Sequence, residues 1–208
     1  AAIRAAARTG HQPTHEVVEL DPVAGRARKQ VQVQLDLCGI AKGYAVDCMV
    51  ATLQRHGIGQ ALAALDGELR AIGHQATGQP WAVAVESPQR GHRSVHSVIE
   101  LQDLAVATSG DYRHCLDVGG VRLSHSMDAR RAAPVRNEVA SVTVLASTCM
   151  HADAWATALL VAGPDEGLAM ARTLGLEALW LLRRDGALTA MGLGRFDDAA
   201  EPGHRVPA

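Results

Sequence analysis

Asp153 and Thr157 stand four residues apart in a stretch, His151 to Val161, whose apolar spacing is helical, so both oxygens project from one face about a turn apart. One carboxylate and one hydroxyl so placed can hold a hard cation, because Mg²⁺ takes oxygen ligands and is completed by water and phosphate. The same pair is also what an ordinary helix start contains. A second stretch, Asp36 to Asp47, reads DLCGIAKGYAVD. Its glycine turn separates a strand pattern from a helix pattern and aims unpaired backbone N–H groups at whatever lies above, which fits an anion. It is neither the GxGxxG dinucleotide fingerprint nor a Walker loop, and glycine-containing strand–helix turns are common. Gly43, inside the helix pattern, costs about 1 kcal/mol against alanine, which points to close backbone approach at that residue.

Ser124-His125 closes a strand pattern just before an arginine-rich loop, with Asp128 three residues on. Imidazole titrates near neutral pH, so a histidine here suits proton removal from a hydroxyl, with a nearby carboxylate to orient it. The chain has ten histidines, most of which must be structural or at the surface, and His151 beside the cation candidate is the main rival. Thr108-Ser109-Gly110-Asp111-Tyr112 sets hydroxyls, a glycine and a carboxylate after an apolar strand. Such a turn can hold phosphate or ribose, and it is also what a plain polar turn looks like.

These residues need a scaffold, and 208 residues suffice for one well-buried domain. Apolar residues make up 48% and aromatics only 3%, so aliphatic side chains must fill the core. A formal charge of −2 offers no broad basic surface for nucleic acid. The cysteines, Cys38, Cys48, Cys115 and Cys149, show no zinc-ligand rhythm and are expected as buried free thiols. No apolar run reaches the roughly 18 residues of a membrane span and no signal segment opens the chain.

Val31, Val33, Leu35 and Leu37 alternate with polar residues, the pattern of a half-buried strand. Ile40 to His56 follows as a helix with Tyr44, Cys48, Ala51 and Thr52 on one face. Strands are expected at Ala61–Leu65, Leu69–Ile72, Trp81–Val85, Val95–Leu101, Leu104–Ala107 and Val139–Ala146, with a hairpin joining Arg113–Leu116 to Val121–Ser124. Helices over His151–Val161 and Asp165–Leu174 are separated by Gly163-Pro164, and Ala178–Leu182 with Ala187–Met191 forms a closing hairpin. Ala1 to Arg8 reads as the tail of an alanine-rich helix, and the chain after Phe196 as loose. Runs of strands with a few helices indicate an α+β fold, a mostly antiparallel sheet packed with helices.

Taken in order, these segments resemble the ApbE family of flavin transferases. The likeness is collinear from about Val31 to Gly163. It rests on LDLCGIAKGYAVD (Leu35–Asp47), LDGELRAIG (Leu65–Gly73), WAVAVESP (Trp81–Pro88), AVATSGDY (Ala105–Tyr112), RLSHSMDARRAAP (Arg122–Pro134) and SVTVLA with ADAWATALLVAG through Gly163. The resemblance implies an enzyme that takes FAD as substrate with Mg²⁺ at its pyrophosphate. It passes the FMN half to a Thr or Ser hydroxyl of an acceptor flavoprotein, through a phosphoester, and releases AMP. By position, Asp153, Thr157 and the carbonyl of Ala41 match the family's metal ligands. His125 matches the base, with Asp128 beside it, and Lys42, Glu68, Thr108, Ser109 and Gly110 match stretches that line the FAD pocket. An FAD-binding module without transfer, or an FAD pyrophosphatase giving FMN and AMP, are the alternative readings.

Two departures accompany the likeness. Where the family runs through a DPxTG turn, Asp128 is followed here by Ala129-Arg130-Arg131-Ala132. Loss of the glycine removes easy access to positive φ, so a changed loop path is expected. The family's usual N-terminal portion, with the opposite wall of the flavin pocket, is also lacking, so residues 1–208 are expected to form one shortened ApbE-like domain. Family members are typically exported and often lipid-anchored. A bacterial periplasmic or inner-membrane-associated location is therefore expected, with the cytoplasm as the alternative.

Overall fold

The computed structural model describes residues 12–89, 93–111, 115–118, 121–198 and 203–207. The expected helix tail at Ala1–Arg8 lies outside them. After a single helical turn, Thr14–Val17, the chain forms β1 (Val18–Asp21), β2 (Arg26–Lys29), α1 (Ala41–Arg55), β3 (Ala61–Leu65), β4 (Glu68–Ile72), β5 (Trp81–Glu86), β6 (Val95–Leu101) and β7 (Ala105–Gly110). Then come β8 (Cys115–Val118), β9 (Val121–Ser124), β10 (Met127–Asp128), β11 (Ala133–Pro134), β12 (Val139–Ala146), α2 (Cys149–Leu174), β13 (Glu177–Arg184), β14 (Ala187–Leu193) and β15 (Arg205–Val206).

A six-stranded antiparallel sheet in the order β14-β13-β12-β7-β4-β3 is the middle layer, and the small sheet β15-β6-β5 and the two helices cover its opposite faces. Strand alternation explains this layering, since successive side chains leave a strand on opposite faces. In β13, Leu179 and Leu181 pack with Val85, Ile99 and Leu101 of the small sheet, while Ala178, Trp180 and Leu182 pack with Ala156, Leu159 and Leu160 of α2. A third cluster seats Val46 and Val50 of α1 against Ala63, Ile72, Ala105 and Cys149. The α+β expectation therefore holds, with helices and small sheet on opposite sides of one antiparallel sheet. Among the described residues no helix is long and apolar enough to cross a membrane.

Several local expectations are corrected. Val31–Leu37 joins no ladder among the described residues, and Val31, Leu35 and Leu37 are 44%, 50% and 64% exposed. Alternation marks a segment fit for a strand, but a strand also needs a partner edge. The buried face of α1 is Gly43, Val46 and Val50, whereas Tyr44, Cys48, Ala51 and Thr52 face outward. Cys38 and Cys48 are exposed thiols; Cys149 is buried, and burial with the nearby Asp47 charge pushes its thiol up to about 12. The tail is not loose throughout: β15 pairs in parallel with β6, and Val206 is fully buried in the core between the sheets. Helical geometry breaks at Gly163 (φ 82°, ψ 179°), so α2 is two helical stretches meeting before Pro164, as the Gly-Pro pair implied.

The arginine-rich turn after Asp128 is closed by a short two-stranded ladder, with a non-glycine residue in the left-handed region. Met127 pairs with Pro134 and Asp128 with Ala133, while Ala132 sits at φ 46°. An L-residue in the left-handed region costs roughly 1–2 kcal/mol, and Ala132 stands where the resemblance places glycine. Ala132→Gly is therefore expected to stabilise the protein by about 1 kcal/mol, the relief being partly offset by glycine's greater freedom when unfolded. Urea unfolding measures this; no gain would show the turn to be unstrained.

Candidate active-site cleft

The starts of α1 and α2 lie directly against each other. A Cβ on Gly43 would meet the Cys149 carbonyl oxygen at 2.3 Å and the Asp153 Cβ at 2.8 Å, so only glycine permits this backbone contact. The close approach inferred from Gly43 in the sequence is thus real. One turn earlier, a Cβ on Gly39 would lie 2.9 Å from the Thr157 Cγ2. The glycine turn preceding α1 is consequently seated on the α2 face that carries Asp153 and Thr157.

Polar contacts fix those two side chains. The Gly43 N–H donates to Asp153 Oδ2 at 3.0 Å, so Asp153 serves as a capping carboxylate for a helix with no capping side chain of its own at Ile40. The hydroxyls of Thr157 and Ser109 are 2.9 Å apart, which ties α2 to β7. Thr108 is turned to Thr143, with hydroxyls 2.8 Å apart. Ala41 lies between Gly39 and Gly43 in chain order, so its backbone belongs to the same junction.

Beside this junction Lys42 Nζ lies 2.8 Å from Glu68 Oε1 and 3.9 Å from Asp66. Glu68 is only 2% exposed, and among the described residues its Oε2 has no hydrogen-bond partner. Burial raises the Glu68 pKa despite the Lys42 hydrogen bond and charge, and burial likewise raises that of Asp153 against the Gly43 N–H and the Lys42 charge. Burial opposes the charged form of Lys42, but the Glu68 hydrogen bond and the charges of Glu68, Asp153 and Asp66 outweigh it and leave its pKa raised. Two buried carboxylates thus share one half-exposed ammonium.

All of these groups open onto a cleft of about 890 Å³, within the usual range of roughly 300–1,000 Å³ for ligand sites. Lys42, Glu68, Thr108, Ser109, Gly110, His125, Asp153 and Thr157 line it together. Ala41 and Asp128 are not among the described lining residues. Asp128 is buried, and its Oδ1 accepts the Arg130 backbone N–H at 2.9 Å. Arg130 in turn donates to Glu166 on α2 at 2.9 Å, which anchors the turn following His125.

Sequence reasoning missed the wall formed by the β5–β6 hairpin, including Val83, Glu86 and Arg93. Nothing in the spacing of those residues marks them, since they reach the cleft through sheet packing alone. His151, the rival histidine, is exposed on α2 and is not among the described lining residues.

The chain matches the ApbE family model over residues 1–180. It is 42% identical over 154 residues to the FAD:protein FMN transferase of Vibrio cholerae, covering 74% of this chain and 46% of that protein. It is 34% identical over 152 residues to the protein of the same name in Escherichia coli strain K12, covering 73% and 43% respectively. The chain therefore spans about half the length of the curated relatives it matches. Among solved structures, the flavinyl transferase ApbE of Pseudomonas stutzeri superposes with a TM-score of 0.76 at 34% identity, covering 90% of this chain and 57% of that one. The ApbE protein of Thermotoga maritima gives 0.81 at 32% identity, covering 96% and 63%.

The strained charge of Glu68 has a measurable consequence. A carboxylate whose folded pKa lies above its ordinary value of 4.5 binds its proton more tightly in the folded state. Its contribution to stability is then present at low pH and lost as pH rises from 4.5 through the folded pKa. Glu68→Gln, which keeps the shape and removes that titration, is expected to be more stable than the parent at pH 7 to 8 without ligands. Thermal melting across pH 4 to 8 tests this, and a variant less stable at pH 8 would mean that the Lys42 pair outweighs the desolvation.

Proposed function

The chain belongs to the ApbE family, and from that premise we propose that it transfers FMN from FAD, through a phosphoester bond, to a Thr or Ser hydroxyl of an acceptor flavoprotein, with Mg²⁺ required and AMP released. One observation carries the proposal: Asp153, Thr157, Lys42 and Glu68 meet in a nucleotide-sized cleft that also receives His125.

The residues present suit a hard cation. Asp153 is 2% exposed with one backbone donor on Oδ2, and burial disfavours its charge, which a bound cation would relieve. Among the described residues no three His, Cys, Asp or Glu side chains gather as a ready-made metal cluster. The donor set instead comprises the Asp153 carboxylate, the Thr157 hydroxyl and the Ala41 carbonyl, all hard oxygens, to be completed by phosphate and water. When bound there, Mg²⁺ would supply neutralisation of the charge that develops on the phosphate oxygens.

The protein's own part is to position and to move one proton. Lys42 brings a positive charge to the cleft beside Glu68, where a phosphate would meet it. The acceptor hydroxyl oxygen attacks the FMN phosphorus, the bond from that phosphorus to the bridging oxygen breaks, and AMP leaves with that oxygen. The hydroxyl proton passes to an imidazole nitrogen of His125. Asp128, engaged with Arg130, holds the shape of the turn that carries His125 toward the cleft.

Incubation with FAD, Mg²⁺ and an acceptor bearing Asp-Gly-x-Ser/Thr-Gly-Ala-Ser/Thr is expected to yield a fluorescent acceptor band and an equal amount of AMP. Asp153→Ala should abolish the metal-dependent transfer. His125→Asn should lower kcat by about 10²–10⁴ while FAD still binds. FAD binding with neither transfer nor AMP would leave a flavin-binding module, and AMP with free FMN in the absence of acceptor would make the protein a pyrophosphatase. Either result overturns the proposal. A periplasmic or inner-membrane-associated location accompanies this reading, and recovery with cytosolic markers on cell fractionation would contradict it.

A further inference from the structure

Asp47 touches no part of the cleft, yet it joins three elements that build it. Its Oδ1 accepts the Cys149 N–H at 2.9 Å and the Arg70 Nη1 at 2.6 Å, and its Oδ2 accepts the Met150 N–H at 2.9 Å. Cys149 and Met150 are the first residues of α2. The next two N–H groups of that helix go to the Thr148 side chain and carbonyl. The Ala152 bond is the first intrahelical one, so three orphan donors, those of Cys149, Met150 and His151, are satisfied here, two of them by a carboxylate from α1.

The arrangement is reciprocal. Asp47 of α1 caps α2, and Asp153 of α2 caps α1 through Gly43. In each helix the capped residue and the capping carboxylate are four apart, Gly43 with Asp47 and Cys149 with Asp153, so they share a face. Arg70 adds the sheet to this lock. It lies two residues after Glu68 on β4, hence on the same face as the buried acid of the cleft.

We propose that Asp47 is a positioning residue that sets the divalent-cation affinity of the cleft by holding the start of α2, and with it Asp153 and Thr157, in register with the Ala41–Gly43 turn. This rests on the metal assignment made above. Losing the charge loosens α2 by its first turn, which is the turn that leads to Asp153. A shift of a few tenths of an ångström there spreads the ligand oxygens, because Mg²⁺ demands near-ideal geometry at about 2.1 Å.

Electron paramagnetic resonance of Mn²⁺, as a visible stand-in for Mg²⁺, measures the ion's Kd on the full chain with FAD present, independently of turnover. Asp47→Asn keeps the volume but places an amide donor against N–H donors. It is expected to weaken Mn²⁺ binding at least tenfold while FAD affinity without metal changes by less than about threefold. Arg70→Gln removes one donor and leaves the carboxylate in place, and should give a smaller loss, about threefold; it carries the test should Asp47→Asn fail to fold. Asp47→Glu, which restores the charge on a longer arm, should recover part of the affinity. Unchanged Mn²⁺ affinity in folded Asp47→Asn, or in Arg70→Gln if that variant stands alone, would reduce Asp47 to a stabilising cap and overturn the inference. That outcome differs from failure of the metal assignment itself, in which the parent protein would bind no Mn²⁺ beside FAD and both readings would fall.

Discussion

The structure turns on the contact between two helix starts. At Gly43 the backbone of α1 meets the backbone of α2 with no room for a side chain, and the carboxylates of Asp47 and Asp153 cross the gap in opposite directions. Helix N-termini carry partial positive charge and unpaired N–H groups, so two such ends side by side would repel. Two exchanged carboxylates reverse the sign of that interaction. The arrangement satisfies the donors and fixes the helices relative to one another, and it leaves an acidic, oxygen-lined spot where they meet the sheet.

The sheet makes that spot a site. β4 and β7 run beneath the junction, so that Glu68 on one strand and Ser109 on the other reach the same cleft. The opposite face of the sheet is apolar and sealed by the β5–β6–β15 sheet, including the tail residue Val206. Rigid strands and a locked helix pair thus set the oxygens that face the cleft, while the turn with His125 is linked to α2 through Arg130 and Glu166. A site held by packed elements keeps its geometry better than one held by loops alone.

Much of this was legible from residues. The strands from Ala61 to Leu101 show themselves as short apolar segments between turn residues and Val139–Ala146 by alternating branched side chains, and Gly43 betrayed the helix contact because glycine inside a helix needs a reason. The chemistry-bearing side chains were recognisable as ordered strings, and the cleft gathers nearly all of them. Other features were hidden for physical reasons. Val31–Leu37 has the right period, but pairing depends on an edge that period does not report. The buried face of α1 was misread because Gly43, a residue without a side chain, is one of its three buried positions. Asp47 stands in plain view within DLCGIAKGYAVD, yet its partners lie about a hundred residues away in sequence, at Cys149 and Met150. Long-range capping has no local signature.

The electrostatics of the cleft place charge where folding alone gains little from it. Glu68 and Asp153 are both nearly buried, and burial raises both pKa values despite the neighbouring lysine. Were the cleft only structural, apolar residues of similar volume would be the more stable choice, since buried ionic groups commonly fail to recover their desolvation. Among the described residues the Glu68 Oε2 has no hydrogen-bond partner, so the same carboxylate is also left short of donors. Groups held at such a disadvantage would gain most from a cation or a hydrogen-bond donor, so that stability withheld from folding would be recovered on binding. With the proposed cation bound, that linkage would join the stability of the lock around Asp47 to the occupancy of the cleft, and folding and ligand binding would act on the same atoms at the junction of α1 and α2.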